Sequence, residues 1–264
     1  MRIGYNQATS MKHSSLEADV ALCAAHGFDG LEMQTDLMDR YMSAHSPDDL
    51  RALFADSGIK AFPVNAFVGF NIQSDGNPAR LRYLCGCAKA TGAGALILVP
   101  ALRDISLDQT AEAIKGYTAT AAEYGVSMAL EFLGFAESSV RSLEQAAAIA
   151  DQIPGLKLVL DCAHIMGGTT GPATILQLRP ERIETVHIND LTRKPSEVYS
   201  DSDRVWPGDG DLGLSVILKN LKAIGYDGIV SVELFNEEYW EWPADEIFKT
   251  AIQKTRAVIE GVAS

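Results

Sequence analysis

The stretch GLKLVLD, residues 155–161, has the pattern that decides the fold: a glycine, a near-continuous apolar run and a final acid. An apolar run without alternation is typical of a parallel strand whose sheet is covered by helices. The glycine in front of the run marks the turn from a preceding helix into the strand. A glycine precedes a candidate strand in this way at positions 27, 58, 94, 125, 155 and 225.

Seven further β-rich runs accompany this one along the chain. The eight candidate strands are residues 2–6, 30–33, 59–66, 95–100, 126–132, 156–161, 183–188 and 228–234. Amphipathic stretches with helix start and stop signals lie between them, such as SPDDLRALFADSG (46–58), which has a serine cap, a proline in the first turn and a final glycine. Strands and helices alternating about every 30 residues predict a (β/α)8 TIM barrel, an α/β fold.

The 264 residues are expected to form one domain, 1–264. A doubly wound open sheet is the alternative, but it usually needs fewer strands at this length, and no G-x-G-x-x-G motif follows the first strand. The longest irregular stretch, residues 189–213, follows the seventh strand. We therefore expect it to be an active-site loop over the mouth of the barrel.

Composition restricts the partners and the compartment. The net charge of −13 disfavours nucleic acid and anionic membrane surfaces as partners. Neither a signal-peptide pattern nor a run of about 18 apolar residues is present, so we expect a soluble cytoplasmic protein acting on a small molecule. The four cysteines are expected to be buried reduced thiols. Homo-oligomerisation remains open.

Four adjacent strands end in side chains that can bind a metal. In a TIM barrel the working groups lie at the C-terminal ends of the strands, where this sequence has Glu131, Asp161, His187 and Glu233. Singly, each would be read as a solvated or capping residue. Together, three carboxylates repel one another, and a divalent cation relieves that repulsion. The oxygen-rich set predicts one divalent cation, with Mn²⁺ favoured and Zn²⁺, Co²⁺ or Mg²⁺ as alternatives.

This ligand set also indicates a reaction. A cation that binds a carbonyl oxygen and a neighbouring hydroxyl stabilises an enediolate. Glu131 and Glu233 are the candidate catalytic pair that removes a proton from one carbon and returns it to the next. Polar or aromatic residues near the same rim are candidate substrate contacts: His164, Arg204, Glu137, Glu32, Asn65 and Trp206. Arg193 competes with Arg204 for this role, and Trp206 is either a lid or a residue packed under its own loop.

Five segments resemble the xylose-isomerase-like TIM-barrel superfamily of sugar isomerases and epimerases. They are ALEFLGF (129–135), LVLDCAH (158–164), VHINDL (186–191), DRVWPGDGDLGL (203–214) and SVELFNEEYW (231–240). The resemblance implies a metal-dependent isomerase of a keto-inositol or similar keto-sugar, with Glu131, Asp161, His187 and Glu233 on the metal and His164 and Arg204 on the substrate. The chain departs from the family's pattern at Asn236 and Glu237, which replace a basic residue and a proline.

Other functions share the same ligands. A ketose 3-epimerase, or a dehydratase of inosose or dehydroshikimate, would use the same metal ligands and differ only in its contacts with the substrate. An endonuclease IV-like phosphodiesterase is disfavoured by five histidines in total and by the net charge of −13. A non-catalytic sugar-binding barrel is the remaining alternative.

Overall fold

The computed structural model describes residues 1–194 and 198–262, and its parallel strands form one curled sheet. The sheet strands in chain order are β1 (Arg2–Asn6), β2 (Gly30–Glu32), β3 (Lys60–Ala61), β4 (Val64–Val68), β5 (Ala95–Val99), β6 (Ser127–Glu131), β7 (Lys157–Asp161), β8 (Ile183–Ile188) and β11 (Ile229–Val232). Across the sheet their order is β3-β2-β1-β11-β8-β7-β6-β5-β4. Each of the eight predicted strands is therefore present.

The predicted third strand, 59–66, is split into β3 and β4, and together these two halves close the barrel. β3 pairs with β2, where Gly30 lies opposite Lys60. Farther along, the Asn65 amide donates to the Met33 carbonyl (2.8 Å), and β4 pairs with β5 on its other side. The break falls at Phe62 and Pro63, because proline has no N–H to donate to the ladder. The sheet is a closed (β/α)8 barrel and not an open doubly wound sheet.

Helices follow the strands and cover the outside of the barrel. They are α1 (Leu16–His26), α2 (Thr35–Met42), α3 (Pro47–Ser57), α4 (Asn77–Thr91), α5 (Leu107–Tyr124), α6 (Leu143–Asp151), α7 (Cys162–Gly167), α8 (Leu214–Ala223) and α9 (Ala244–Gly261). The predicted signals of α3 are present: Ser46 and Asp49 form a capping box, and Gly58 ends the helix at φ 73°. None of the described helices is both long and apolar enough to cross a membrane.

Aliphatic side chains and one aromatic ring fill the barrel interior. Ala66, Ile97, Ala129 and Val159, from four neighbouring strands, form a cluster of their own. On the other side of the barrel, a Cβ added to Gly4 or Gly30 would lie 2.6 Å from the ring of Phe62. Glycine at these two positions leaves space for that ring. Since side chains alternate along a strand, the next inward position after each small residue lies at the C-terminal rim.

One buried carboxyl lies outside the barrel, on α1. Asp19 is 1% exposed and accepts a hydrogen bond from Gln7 Nε2 (2.7 Å). Burial raises the pKa of Asp19 to about 7, and the hydrogen bond from Gln7 offsets only part of this effect.

The segment expected to be an irregular loop, 189–213, contains a short antiparallel pair, β9 (Asp190–Leu191) and β10 (Arg204–Val205). The Asp190 carboxylate accepts hydrogen bonds from the amides of Leu191 (2.9 Å) and Gly208 (3.1 Å) and thereby fixes both ends of the segment. Residues 195–197 of the expected loop lie outside the described residues. All four cysteines are buried as free thiols.

Candidate metal centre

The four expected metal ligands come together at the C-terminal end of the barrel. Glu131 ends β6, Asp161 ends β7, His187 lies in β8, and Glu233 follows β11 directly. Each follows a small or hydroxyl-bearing inward residue by two positions, namely Ala129, Val159, Thr185 and Ser231. One ligand atom from each of the four lies within 4.8 Å of all the others. All four side chains are buried, the most accessible being Glu131 at 4%.

The imidazole of His187 lies at the centre of this group. Its Nδ1 atom faces Glu131 Oε1 at 3.0 Å, Glu233 Oε2 at 3.3 Å and Asp161 Oδ2 at 3.9 Å. Burial lowers the pKa of His187, but the carboxylates around it outweigh burial and raise that pKa well above its usual value. Three carboxylates therefore converge on one ring nitrogen.

The two glutamates of the group have different electrostatic surroundings. Burial raises the pKa of Glu131 to about 7, against the opposing effect of His187. Burial also acts on Glu233, but His187 and Arg204 together lower the pKa of Glu233 well below its usual range. The carboxyl of Glu131 therefore takes up a proton far more readily than that of Glu233.

Arg204 is the buried counter-ion of the cluster. Its Nη1 donates to Glu233 Oε2 (2.6 Å) and lies 3.1 Å from Asp161 Oδ2, while Nη2 donates to Asp201 Oδ1 (2.7 Å). The Arg204 carbonyl accepts a hydrogen bond from Asn236 Nδ2 (2.8 Å). This contact gives a structural role to Asn236, one of the two positions at which the chain departs from the pattern that it resembles.

His164, in α7, lies beside Arg204. Its Nε2 is 3.4 Å from Arg204 Nη2, and its ring packs edge-on against Phe135. Burial lowers the pKa of His164, so its imidazole is held neutral. The Asp161 carboxylate caps α7 by accepting a hydrogen bond from the amide N–H of His164 (3.1 Å). This bond connects the start of α7 to the metal-competent group.

A buried polar network lies beside the four residues, at the same end of the barrel. Glu32 is fully buried, and its Oε1 accepts hydrogen bonds from Asn6 Nδ2 and Asn65 Nδ2, each at 2.8 Å. The same two amides also donate to Glu233 Oε1, at 2.8 Å and 3.1 Å. Glu32 and Asn65 therefore lie at the site, bonded to its own side chains.

Sequence reasoning missed two asparagines of the site. Asn6, in the network above, ends β1, so the inspection of strand ends that gave the other residues would have found it if it had included the first strand. Asn189 follows β8, and its Nδ2 donates to Asp161 Oδ2 (3.0 Å). It lies two positions after His187, so side-chain alternation continued past the strand end, as for Glu233, would have found it.

Three other candidates lie apart from the cluster. Glu137 is exposed and lines a separate cavity. Arg193 is exposed, so Arg204 and not Arg193 reaches the carboxylates. Trp206 is 2% exposed and stacks on Tyr239 with ring centroids 4.7 Å apart. Of the two interpretations of Trp206, this position corresponds to packing under its own loop.

The donor set fits a divalent cation. Three carboxylates and one imidazole nitrogen converge in a buried space, and Asp161, Glu233 and His187 already have their other polar atoms bonded to neighbouring groups. Hard oxygen donors with one nitrogen suit Mn²⁺, Co²⁺ and Zn²⁺. The arrangement can therefore bind a cation and hold two carboxylates of different basicity next to it.

Comparison with known proteins agrees with this architecture. A family model described as xylose isomerase-like TIM barrel matches residues 20–258. An inosose isomerase of Bacillus velezensis is 32% identical over 98% of this chain and 97% of its own length. A crystal structure of IolI protein with a bound zinc atom has a TM-score of 0.94 and 31% identity, covering 99% of both chains.

A 3-dehydroshikimate dehydratase of Pseudomonas aeruginosa is 30% identical over 88% of this chain and 38% of its own length. Because the family model spans most of the barrel and the inosose isomerase matches nearly end to end, the chain belongs to the xylose isomerase-like TIM barrel family.

Proposed function

We propose that this protein is a metal-dependent isomerase of inosose or a similar keto-sugar. The observation that carries the proposal is the buried group of three carboxylates and one histidine at the C-terminal end of the barrel. Its support from relatives is the near-complete match to an inosose isomerase. We extend the proposal to a role in inositol catabolism in the cytoplasm, with a small molecule as the partner.

Glu131, Asp161, His187 and Glu233 would hold one divalent cation. Such a cation supplies a Lewis acid that polarises the substrate's carbonyl oxygen and lowers the pKa of the neighbouring C–H. We propose Mn²⁺ from the oxygen-rich donor set, and Zn²⁺, which is bound in the IolI structure, is the competitor.

Glu131 and Glu233 are the proposed proton-transferring pair. They approach from β6 and β11, on either side of β7 and β8. One carboxylate accepts the proton from the hydroxyl-bearing carbon, which gives an enediolate of the substrate. The other, in its protonated form, delivers a proton to the former carbonyl carbon, and the hydroxyl proton passes to the former carbonyl oxygen, so the carbonyl moves by one position.

His164 and Arg204 are the proposed substrate contacts. Arg204 contacts the carboxylates of Glu233 and Asp161, and His164 lies beside Arg204; the imidazole is neutral and the guanidinium charged. A neutral imidazole can donate to or accept from a hydroxyl group, and a guanidinium donates to an oxygen on which negative charge develops. Residues 189–213 carry Arg204 and form the proposed active-site loop of the single domain 1–264.

The test is a screen of keto-inositols and ketoses in D₂O with Mn²⁺ or Zn²⁺, read by NMR. We expect deuterium to enter the substrate carbon without loss of water. Glu131→Gln and Glu233→Gln should each slow this exchange by about 10²- to 10⁴-fold, as expected for loss of a general base. Glu137→Gln, at an exposed glutamate away from the cluster, is the control and should exchange at the wild-type rate.

No deuterium incorporation from any of these substrates would refute the proposal, and full activity of both Gln variants would refute the assigned pair.

A dehydratase is the second candidate, since a dehydroshikimate dehydratase matches 88% of the chain. It would use the same carboxylates to expel a β-hydroxyl group. The two functions differ in the product: a dehydratase gives an enone with a new ultraviolet absorbance, and an isomerase gives none.

A further inference from the structure

The Nε2 atom of His187 faces the carboxylate of Glu32, which does not belong to the four-residue group. We propose that Glu32 is a positioning residue, which orients His187 so that Nδ1 is its metal-binding atom. This inference rests on the proposed metal site and adds to it the identity of the ligand atom and of the residue that selects it.

The contacts of Glu32 fix one of its oxygens in place. His187 Nε2 lies 2.8 Å from Glu32 Oε1, and both side chains are completely buried. The same oxygen accepts hydrogen bonds from Asn6 Nδ2 and Asn65 Nδ2. An acceptor held by two amides from two other strands cannot follow the imidazole if it rotates, so it determines the direction of the ring.

The two ring nitrogens have different surroundings. Nε2 faces the single carboxylate of Glu32, whereas Nδ1 faces those of Glu131, Glu233 and Asp161. A neutral imidazole carries one N–H and one lone pair. With the proton on Nε2 and donated to Glu32, the Nδ1 lone pair points at three carboxylates. Only a cation between them makes that arrangement favourable, and a ligand histidine commonly donates its other N–H in this way.

The second oxygen of Glu32 provides a clean way to separate orientation from charge. Among the described residues, Glu32 Oε2 is buried with no hydrogen-bond partner. In Glu32→Gln the amide NH₂ can occupy that position without meeting a donor, while the amide oxygen still accepts from His187, Asn6 and Asn65. Glu32→Gln therefore keeps the acceptor and removes the charge, and Glu32→Ala removes both.

The experiment measures Zn²⁺ affinity by competition with a chromogenic chelator, and the visible spectrum of bound Co²⁺, for the full-length protein and its variants. We expect Glu32→Ala to raise the Zn²⁺ dissociation constant by about 10- to 100-fold and to change the Co²⁺ spectrum. Glu32→Gln should retain the wild-type spectrum and most of the affinity. Asn71→Ala is the control, because Asn71 is a buried amide bonded to Thr110 and Ser139, away from the network.

Each outcome decides a different claim. Wild-type Zn²⁺ affinity in Glu32→Ala would overturn the positioning role. Equal losses in Glu32→Ala and Glu32→Gln would overturn orientation by hydrogen bonding and assign the effect to charge. If Glu32→Ala does not fold, the Gln variant still decides, since a changed Co²⁺ spectrum there refutes the inference. A wild-type protein that binds neither Zn²⁺ nor Co²⁺ would instead refute the proposed metal site itself.

Discussion

Replacing Asp19 by asparagine should stabilise the protein at neutral and alkaline pH and have a much smaller effect in acid. The carboxyl of Asp19 is 1% exposed, and its pKa is raised by burial from 3.8 to about 7. Asparagine keeps an oxygen that can accept the hydrogen bond from Gln7 but has no charge at any pH. The substitution therefore removes the cost of a buried ionised carboxylate.

The sign and size of the effect follow from proton linkage. Between pH 4 and pH 7 the unfolded chain releases the Asp19 proton and the folded protein retains it, so the wild type loses stability as pH rises through this window. With one pKa unit worth about 1.4 kcal/mol, the loss reaches about 4 kcal/mol above pH 7. Between pH 5 and pH 8 the stability of Asp19→Asn relative to wild type should increase by about 2.5 kcal/mol.

Urea unfolding followed by fluorescence at pH 5 and pH 8 measures this difference. Glu123→Gln, at an exposed acid on α5, is the control and should show no comparable change between the two pH values. If Asp19→Asn differed from wild type by the same free energy at both pH values, the raised pKa of Asp19 would be refuted.

Two further substitutions test the loop that follows β8. Arg204→Met removes the guanidinium that pairs with the buried carboxylates of Asp161 and Glu233. It should lower the free energy of unfolding of the metal-free protein in urea by about 3–5 kcal/mol. A loss below about 1 kcal/mol would show that the guanidinium is not their counter-ion. Trp206→Ala removes an indole packed on Tyr239 and should lower the free energy of unfolding by about 3–5 kcal/mol. The KM for a converted keto-sugar should not change. A raised KM at wild-type stability would favour the interpretation of Trp206 as a lid over the substrate.

The fold and the positions of the metal-competent residues could be predicted because both depend on short-range patterns. Apolar runs after helix-ending glycines located the strands, and the metal-competent residues at the ends of the later strands were Glu131, Asp161, His187 and Glu233. Strand direction in a barrel brings such residues to one end whatever the details of packing.

The contacts within the site could not be read in this way. Whether Glu32 faces substrate or His187 depends on where the amides of Asn6 and Asn65 lie, and those come from other strands. Trp206 and Arg204 are two residues apart on one loop, yet one packs into the aromatic cluster and the other enters the site. Such differences arise from tertiary packing, which local sequence patterns do not encode. The break at Phe62 and Pro63 was missed because the apolar run continues through it.

The position of Arg204 has a consequence for how the enzyme is assembled. Its guanidinium contacts Asp161 and Glu233, and His187 lies among the same carboxylates. The chain itself therefore supplies positive charge to the cluster, so the barrel can finish folding before any metal arrives. Binding of the metal would then be a late and reversible step at a cluster that has already formed. On this basis, metal supply would set the fraction of molecules that are active rather than the fraction that are folded.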